Sequence, residues 1–226
     1  MLKFYFNASP NPAKVALFLE ESGLPYEAIP VDTRKGEQFG AEIVALNPNA
    51  KVPIIVDDGV RVFDSTAILL YLSEKTGRFL SGSDARARGE LLSWLMFVAS
   101  GIGPYSGQAV HFRHFAPPGQ QYAGDRYAYE ARRHYSILDA QLASRPFLLG
   151  EAYTIVDMAA WGWARVVPFV MGESAWSTLP HLKRWLDTIN ARPAAARAEA
   201  LKDRFEFKAE MDDEARRIMF PHIVKA

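Results

Sequence analysis

Apolar and polar positions follow two different rhythms along the chain, and the change between them falls near residue 82. Leu2 to Phe6 is short and aromatic and is bounded by Asn7-Ala8-Ser9-Pro10-Asn11-Pro12, which predicts a strand followed by a loop. Val15, Phe18 and Leu19 recur at helical spacing, with Pro12 suited to a first turn and Gly23 to a stop. Tyr26 to Val31 predicts a second strand. The polar stretch Asp32 to Gln38 leads into a short helix over Phe39 to Leu46, which ends before Asn47-Pro48. Pro53 to Val56 and Val60 to Phe63 flank Asp57-Asp58-Gly59, the pattern of a hairpin. Ile68, Leu69 and Leu72 then mark a helix that begins near Asp64-Ser65 and stops at Gly77. The order is βαβ followed by αββα.

From Asp84 onward the runs read as helices rather than strands. Leu91, Trp94, Leu95 and Val98 share one helical face, and Tyr135, Leu138 and Leu142 another. Helix breaks are predicted at Gly101 to Gly107, Ala116-Pro117-Pro118-Gly119, Arg145-Pro146 and Arg192-Pro193. Thr154-Ile155-Val156-Asp157 fits a capping box ahead of the apolar run Met158 to Trp163, a structural role. The linker Ser81-Gly82-Ser83 divides an α/β domain, residues 1–80, from an all-α domain, residues 84–226. Phe205, Phe207, Met219, Phe220 and Ile223 predict that the last segment, residues 203–226, packs down instead of hanging free.

Composition narrows the chemistry. The 226 residues carry 26 Lys plus Arg against 26 Asp plus Glu, so gripping nucleic acid or an anionic membrane is not the expected role. The chain has no cysteine, which excludes disulfides, thiolate metal sites and a cysteine nucleophile. Any thiol chemistry must use a thiol borrowed from a ligand. The N-terminus is not a signal peptide by pattern, and Ile155 to Gly172, broken by Asp157, Arg165 and Pro168, is ill suited to span a bilayer. A soluble, cytoplasmic protein is expected.

Three places could carry chemistry. Ser9 and Asn11 follow the first strand, where hydroxyl, amide and helix N–H groups can stabilise an anion; capping the helix is the plainer role. Lys51-Val52-Pro53 opens the third strand. A cis Val52–Pro53 bond would turn the Val52 N–H and C=O outward for a peptide-like ligand, whereas a proline at a strand start is ordinary. Asp64-Ser65 begins a helix and can hold both charges of an α-amino acid, or simply cap it. Other patterns carry less. Tyr5 inside the first strand reads as buried, His111 and His114 lack a carboxylate partner for a metal, and Gly101, Gly103 and Gly107 follow no strand, so they form no dinucleotide fingerprint.

Taken with Gly36-Glu37-Gln38-Phe39, Asn47-Pro48-Asn49-Ala50-Lys51-Val52-Pro53, Phe63-Asp64-Ser65, Gly107-Gln108 through His111-Phe112, Arg126-Tyr127 and Tyr153-Thr154, the chain resembles the cytosolic glutathione transferases over essentially its whole length. Within them it is most similar to the bacterial Nu class and the related yeast Ure2-type proteins. The resemblance implies a thioredoxin-like first domain followed by an all-α helical bundle. It implies that Ser9 and Asn11 stabilise a glutathione thiolate, that Asn11, Gln38, Lys51, Val52, Asp64 and Ser65 contact glutathione, and that Arg126 approaches it from the helical domain. The class often has Thr where Ser9 stands and Glu where Asp64 stands; both changes keep the chemical group. The implied activity is glutathione-dependent disulfide reduction. With no protein thiol, the site is expected to take two glutathiones or one glutathione disulfide, and no metal. Conjugation to electrophiles, peroxide reduction, or non-enzymatic glutathione binding are the alternatives. The family's assembly implies a homodimer, to which Trp94, Met96 and Phe97 on the first helix of the second domain would lend apolar surface.

Overall fold

The structure is a computed structural model and describes residues 1–223; the last three residues of the segment predicted to pack down lie outside the described residues. Four strands, β1 (Leu2–Phe6), β2 (Tyr26–Pro30), β3 (Ile54–Asp57) and β4 (Val60–Phe63), form one mixed sheet in the order β2-β1-β3-β4. β1 runs parallel to β2 with Leu2 opposite Tyr26, and antiparallel to β3 with Phe4 opposite Ile55. Strand alternation sends Phe4 and Phe6 to one face and Tyr5 to the other, where it meets Val31, Ile43 and Ile54. A parallel pair needs a crossover, supplied here by α1 (Pro10–Ser22). That helix ends where Gly23 takes a left-handed φ of 71° and its N–H reaches the Leu19 carbonyl at 3.0 Å. A 3₁₀ turn (Glu37–Phe39) precedes α2 (Ala41–Leu46), and α3 (Ser65–Thr76) runs from its Asp64 cap to Gly77 as expected.

Among the described residues eight helices follow: α4 (Ala85–Phe97), α5 (Gly103–His114), α6 (Gln121–Gln141), α7 (Ile155–Ala164), α8 (Val167–Met171), α9 (Pro180–Asn190), α10 (Pro193–Ala200) and α11 (Asp213–Met219). Beyond β4 the described residues hold only an isolated bridge between Phe147 and Gly150. The break predicted at Gly101 to Gly107 is corrected. The chain continues from α4 through a π turn (Val98–Ile102) directly into α5. Gly101 serves close approach: a Cβ there would lie 2.6 Å from the His134 ring, whereas one on Gly103 or Gly107 would meet the Trp163 ring at an ordinary 3.5 or 3.7 Å.

The sheet and the helices share one core. α1 lies between Phe4 and Phe6 on one side and α7 and α10 on the other. The closest approach is at Gly162, where an added Cβ would sit 2.5 Å from both the Pro10 carbonyl oxygen and Lys14 Cγ. Gly162→Ala is expected to destabilise the protein by about 1–3 kcal/mol, since the carbonyl cannot move without shifting α1. A denaturant midpoint equal to that of the parent chain would contradict this contact. Among the described residues no helix is long and apolar enough to cross a membrane.

The final segment runs back across the first domain. Arg34 Nη1 donates to the carbonyls of Lys208 (2.8 Å) and Ala209 (2.6 Å), and the Lys208 N–H donates to Asp32 Oδ2 at 2.6 Å. Phe205 and Phe207 stand edge-on to Phe6, and Phe220 meets the Phe115 ring at 5.3 Å and His111 at 4.9 Å. The segment thus bridges the loop after β2 and the end of α5.

Candidate functional site

The first site residues stand where β1 hands over to α1. Asn11 lies in the first helical turn and not in the preceding loop. A helix start has four unbonded N–H groups. Here Pro10 and Pro12 remove two, and the Ser9 N–H is taken by Asn7 Oδ1 at 3.0 Å. The Asn11 N–H remains, with no partner among the described residues. Ser9 occupies the N-cap position without capping; its hydroxyl donates back to Asn7 Oδ1 at 2.6 Å. The Asn11 side chain is oriented by Trp163, whose indole N–H donates to Asn11 Oδ1 at 3.1 Å. An indole N–H only donates, so it must meet the amide oxygen and turn the Asn11 NH₂ the other way. Asn11 therefore keeps its backbone and side-chain donors free, and Ser9 must exchange its bond to Asn7 before it can donate to anything else.

Beside Ser9 opens a cleft of about 220 Å³, lined by Asn7, Ala8, Thr33 and Arg34 from the first domain, by Phe115, and by Phe207, Met211 and Met219 from the final segment. Polar groups thus line most of one wall, and the other is mostly apolar with Lys208 beside Phe207.

Farther along the sheet edge, the Val52–Pro53 bond is cis, and neither the N–H nor the C=O of Val52 has a partner among the described residues. Lys51 is exposed, while its carbonyl accepts from Asn47 Nδ2 at 2.7 Å. Gln38, on the 3₁₀ turn, is 6 % exposed, yet its Oε1 is buried without a hydrogen-bond partner. A buried amide oxygen left unpaired is costly in a folded protein, and a ligand donor would satisfy it.

Asp64 and Ser65 form the start of α3. Asp64 takes a left-handed φ of 71°, a conformation rare outside glycine, and its Oδ1 accepts from the backbone N–H groups of Thr66 (2.9 Å) and Ala67 (3.2 Å) and from the Thr66 hydroxyl. Oδ2 has no protein partner among the described residues and is available to a cation. Burial pushes the Asp64 carboxyl up, but these hydrogen bonds and the Lys14 cation outweigh it and hold the group below the usual carboxylate range. The Ser65 N–H is unpaired among the described residues, and its hydroxyl accepts from Lys14 Nζ at 3.2 Å.

Arg126 stands on α6 with Nη1 2.7 Å from Glu130, and among the described residues no hydrogen bond ties it to the first domain. Tyr5 is buried and donates to Glu42 Oε1 at 2.9 Å, so its proton is committed there, and burial with this carboxylate pushes its hydroxyl up to about 12. Among the described residues no cluster of His, Asp or Glu could hold a metal ion.

Two residues that touch the site have no sequence signal of their own. Trp163 belongs to an apolar run that reads as core, and Lys14 is a lone charge within the apolar pattern of α1. Trp163→Phe keeps the ring and removes the donor that orients Asn11. A net loss of about 0.5–1.5 kcal/mol per hydrogen bond corresponds to about a two- to tenfold weaker hold on an anion bound at Asn11. An unchanged affinity would show that Asn11 needs no such support.

Family models described as "Glutathione S-transferase, N-terminal domain" and "Glutathione S-transferase, C-terminal domain" match residues 8–75 and 106–193. The disulfide-bond oxidoreductase YfcG of Escherichia coli is 42 % identical over 205 residues, covering 88 % of this chain and 94 % of its own. A glutathione transferase from Burkholderia graminis, solved with two glutathione molecules bound per subunit, is 39 % identical with a TM-score of 0.83, covering 90 % of this chain and 89 % of its own. One from Pseudomonas putida, solved with one glutathione disulfide bound per subunit, is 34 % identical with a TM-score of 0.82, covering 88 % of this chain and 91 % of its own.

Proposed function

Because the chain belongs to the glutathione S-transferase family, we propose that it is a glutathione-dependent enzyme that reduces small-molecule disulfides. The observation that carries this reading is a set of unsatisfied groups along one edge of the first domain in a chain without cysteine. The Asn11 donors, the Val52 backbone, Gln38 Oε1, Asp64 Oδ2 and the Ser65 N–H all lack protein partners among the described residues. They suit, in that order, a thiolate, a peptide backbone, a donor and the two charges of an amino-acid end, which is the chemistry of glutathione. The Escherichia coli relative is named for disulfide-bond oxidoreduction, and the Burkholderia and Pseudomonas proteins hold two glutathiones and glutathione disulfide. All three support the same reading.

Asn11 and Ser9 would lower the pKa of a bound thiol. A free thiol ionises near 8.5, and each unit of depression corresponds to about 1.4 kcal/mol. When bound, glutathione supplies the thiolate that attacks the disulfide sulfur. Gln38, Lys51 and Val52 would hold its peptide portion, Asp64 its ammonium and Ser65 its carboxylate, with Arg126 closing from the helical domain. Since the chain contributes no thiol, both reducing equivalents come from glutathione, and the site takes two glutathiones or one glutathione disulfide. The apolar wall of Phe115, Phe207, Met211 and Met219 favours conjugation of apolar electrophiles or peroxide reduction as a second activity in the same cleft.

The proposal extends to assembly and setting. Two domains meet near residue 82, and two copies associate through the exposed Val60 and Phe63 of β4 and Met96 and Tyr129 of α4 and α6. The enzyme works in the cytoplasm, where thiols are kept reduced. Turnover of a small disulfide by glutathione tests the activity. A rate no higher than uncatalysed exchange, with turnover of an electrophile instead, would assign the cleft to conjugation.

A further inference from the structure

Lys14 lies on the inner side of α1 and is 2 % exposed. Its stem is gripped by α7, since a Cβ on Gly162 would meet its Cγ at 2.5 Å and its Cε at 3.2 Å. It cannot reach water as surface lysines do. An ammonium has three donors, and burying it is costly unless it is paired. Among the described residues its only hydrogen-bond partner is the neutral Ser65 hydroxyl at 3.2 Å, and no carboxylate lies within ion-pair distance. Of the charges on the elements around it, α3 contributes Asp64 at its start. On α1 itself Glu20 and Glu21 are taken by Arg197 and Arg192, and on α7 Asp157 is turned to Leu148 and Trp185. Burial pushes the Lys14 ammonium down to about 8, with Asp64 pulling the other way.

A buried cation short of a counter-ion, placed against the group proposed to receive a carboxylate, has a clear use. We propose that Lys14 is a positioning residue for the α-carboxylate of the γ-glutamyl end of glutathione, acting through Ser65 and neutralised when that carboxylate arrives. A serine hydroxyl has one proton and two lone pairs. Lys14 occupies a lone pair, so the proton is left to join the Ser65 N–H in meeting the carboxylate. The inference rests on the glutathione reading of the site.

Lys14→Met tests it, because methionine fills the notch at Gly162 without the charge. Replacing a buried charge by an apolar side chain tends to leave stability unchanged or raised, so Tm is expected to hold. Losing one charge-assisted bond raises the KM for glutathione about tenfold, while kcat at saturation stays within about twofold. The wild-type protein gives a second test that needs no variant. S-Methylglutathione has no thiol to titrate, and near pH 8 free Lys14 is partly deprotonated. A bound carboxylate raises its pKa, so binding must take up protons beyond the ligand's own titration, and affinity must fall as pH rises past 8. Calorimetry in buffers of different ionisation enthalpy measures that uptake. Absence of uptake, or a Lys14→Met enzyme with the parent KM, overturns the assignment of Lys14 while leaving the glutathione site standing. A wild-type protein that binds no S-methylglutathione overturns the site and the lysine assignment together.

Discussion

Asp157→Ala is expected to cost the fold about 3–5 kcal/mol, a large part of the roughly 5–15 kcal/mol that holds a domain together. Asp157 is fully buried and accepts from four donors: the N–H of Leu148 (2.9 Å), the N–H (2.9 Å) and hydroxyl (3.1 Å) of Thr154, and the Trp185 indole (2.9 Å). Alanine leaves all four without an acceptor in a dry interior. It also dissolves the capping box at the start of α7, the helix whose Gly162 and Trp163 press against α1 and Asn11. The loss should therefore appear in activity as well as stability. Asp157→Asn keeps one acceptor oxygen and should lose clearly less. Denaturant titration of both variants decides the matter. A loss below about 1 kcal/mol for alanine would mean that water or a neighbour rescues the donors.

The second large effect is on chemistry. Asn11→Ala is expected to lower kcat/KM for disulfide reduction about 10- to 100-fold, the equivalent of about 1.5–3 kcal/mol for a hydrogen bond to a charged group. Ser9→Ala should cost less than about tenfold, because its hydroxyl is already bonded to Asn7 and must give up that bond to serve the thiolate. Steady-state rates at several glutathione concentrations separate the two variants. A larger loss for Ser9 than for Asn11 would reverse the assignment of roles.

Local signals account for what is legible in the sequence. The aromatic run Leu2 to Phe6 and the Asp64 and Gly77 ends of α3 are encoded within a few residues, and the structure places each where its pattern says; the hairpin forms too, with a turn of Asp58-Gly59 alone because Asp57 pairs with Val60 at the end of β3. The capping box at Thr154 and Asp157 is equally local. What the sequence misreads or leaves silent are cases where a distant residue decides. Gly101 looks like a helix breaker, yet it is small because the His134 ring, from another helix, sits against it. Lys14 looks like a stray charge on an apolar face until Ser65, fifty-one positions away, is brought beneath it. Trp163 looks like core, and is mostly buried, but its indole N–H reaches Asn11 across 152 positions. The docking of the final segment depends on Arg34 meeting carbonyls at Lys208 and Ala209, which no window of sequence contains. Gln38 is a partial case: the resemblance points to it, but the unpaired Oε1 that gives a physical reason appears only in three dimensions.

The claim on which the rest depends is that Asn11, supported by Ser9, holds a glutathione thiolate. Ultraviolet difference absorbance of the thiolate, followed as pH is varied with glutathione bound, measures its ionisation directly. The bound thiol is expected to titrate at least about one unit below the free value near 8.5, and the shift to largely disappear in Asn11→Ala. A bound thiol that titrates as it does in free solution, or a depression that survives unchanged in Asn11→Ala, would contradict it.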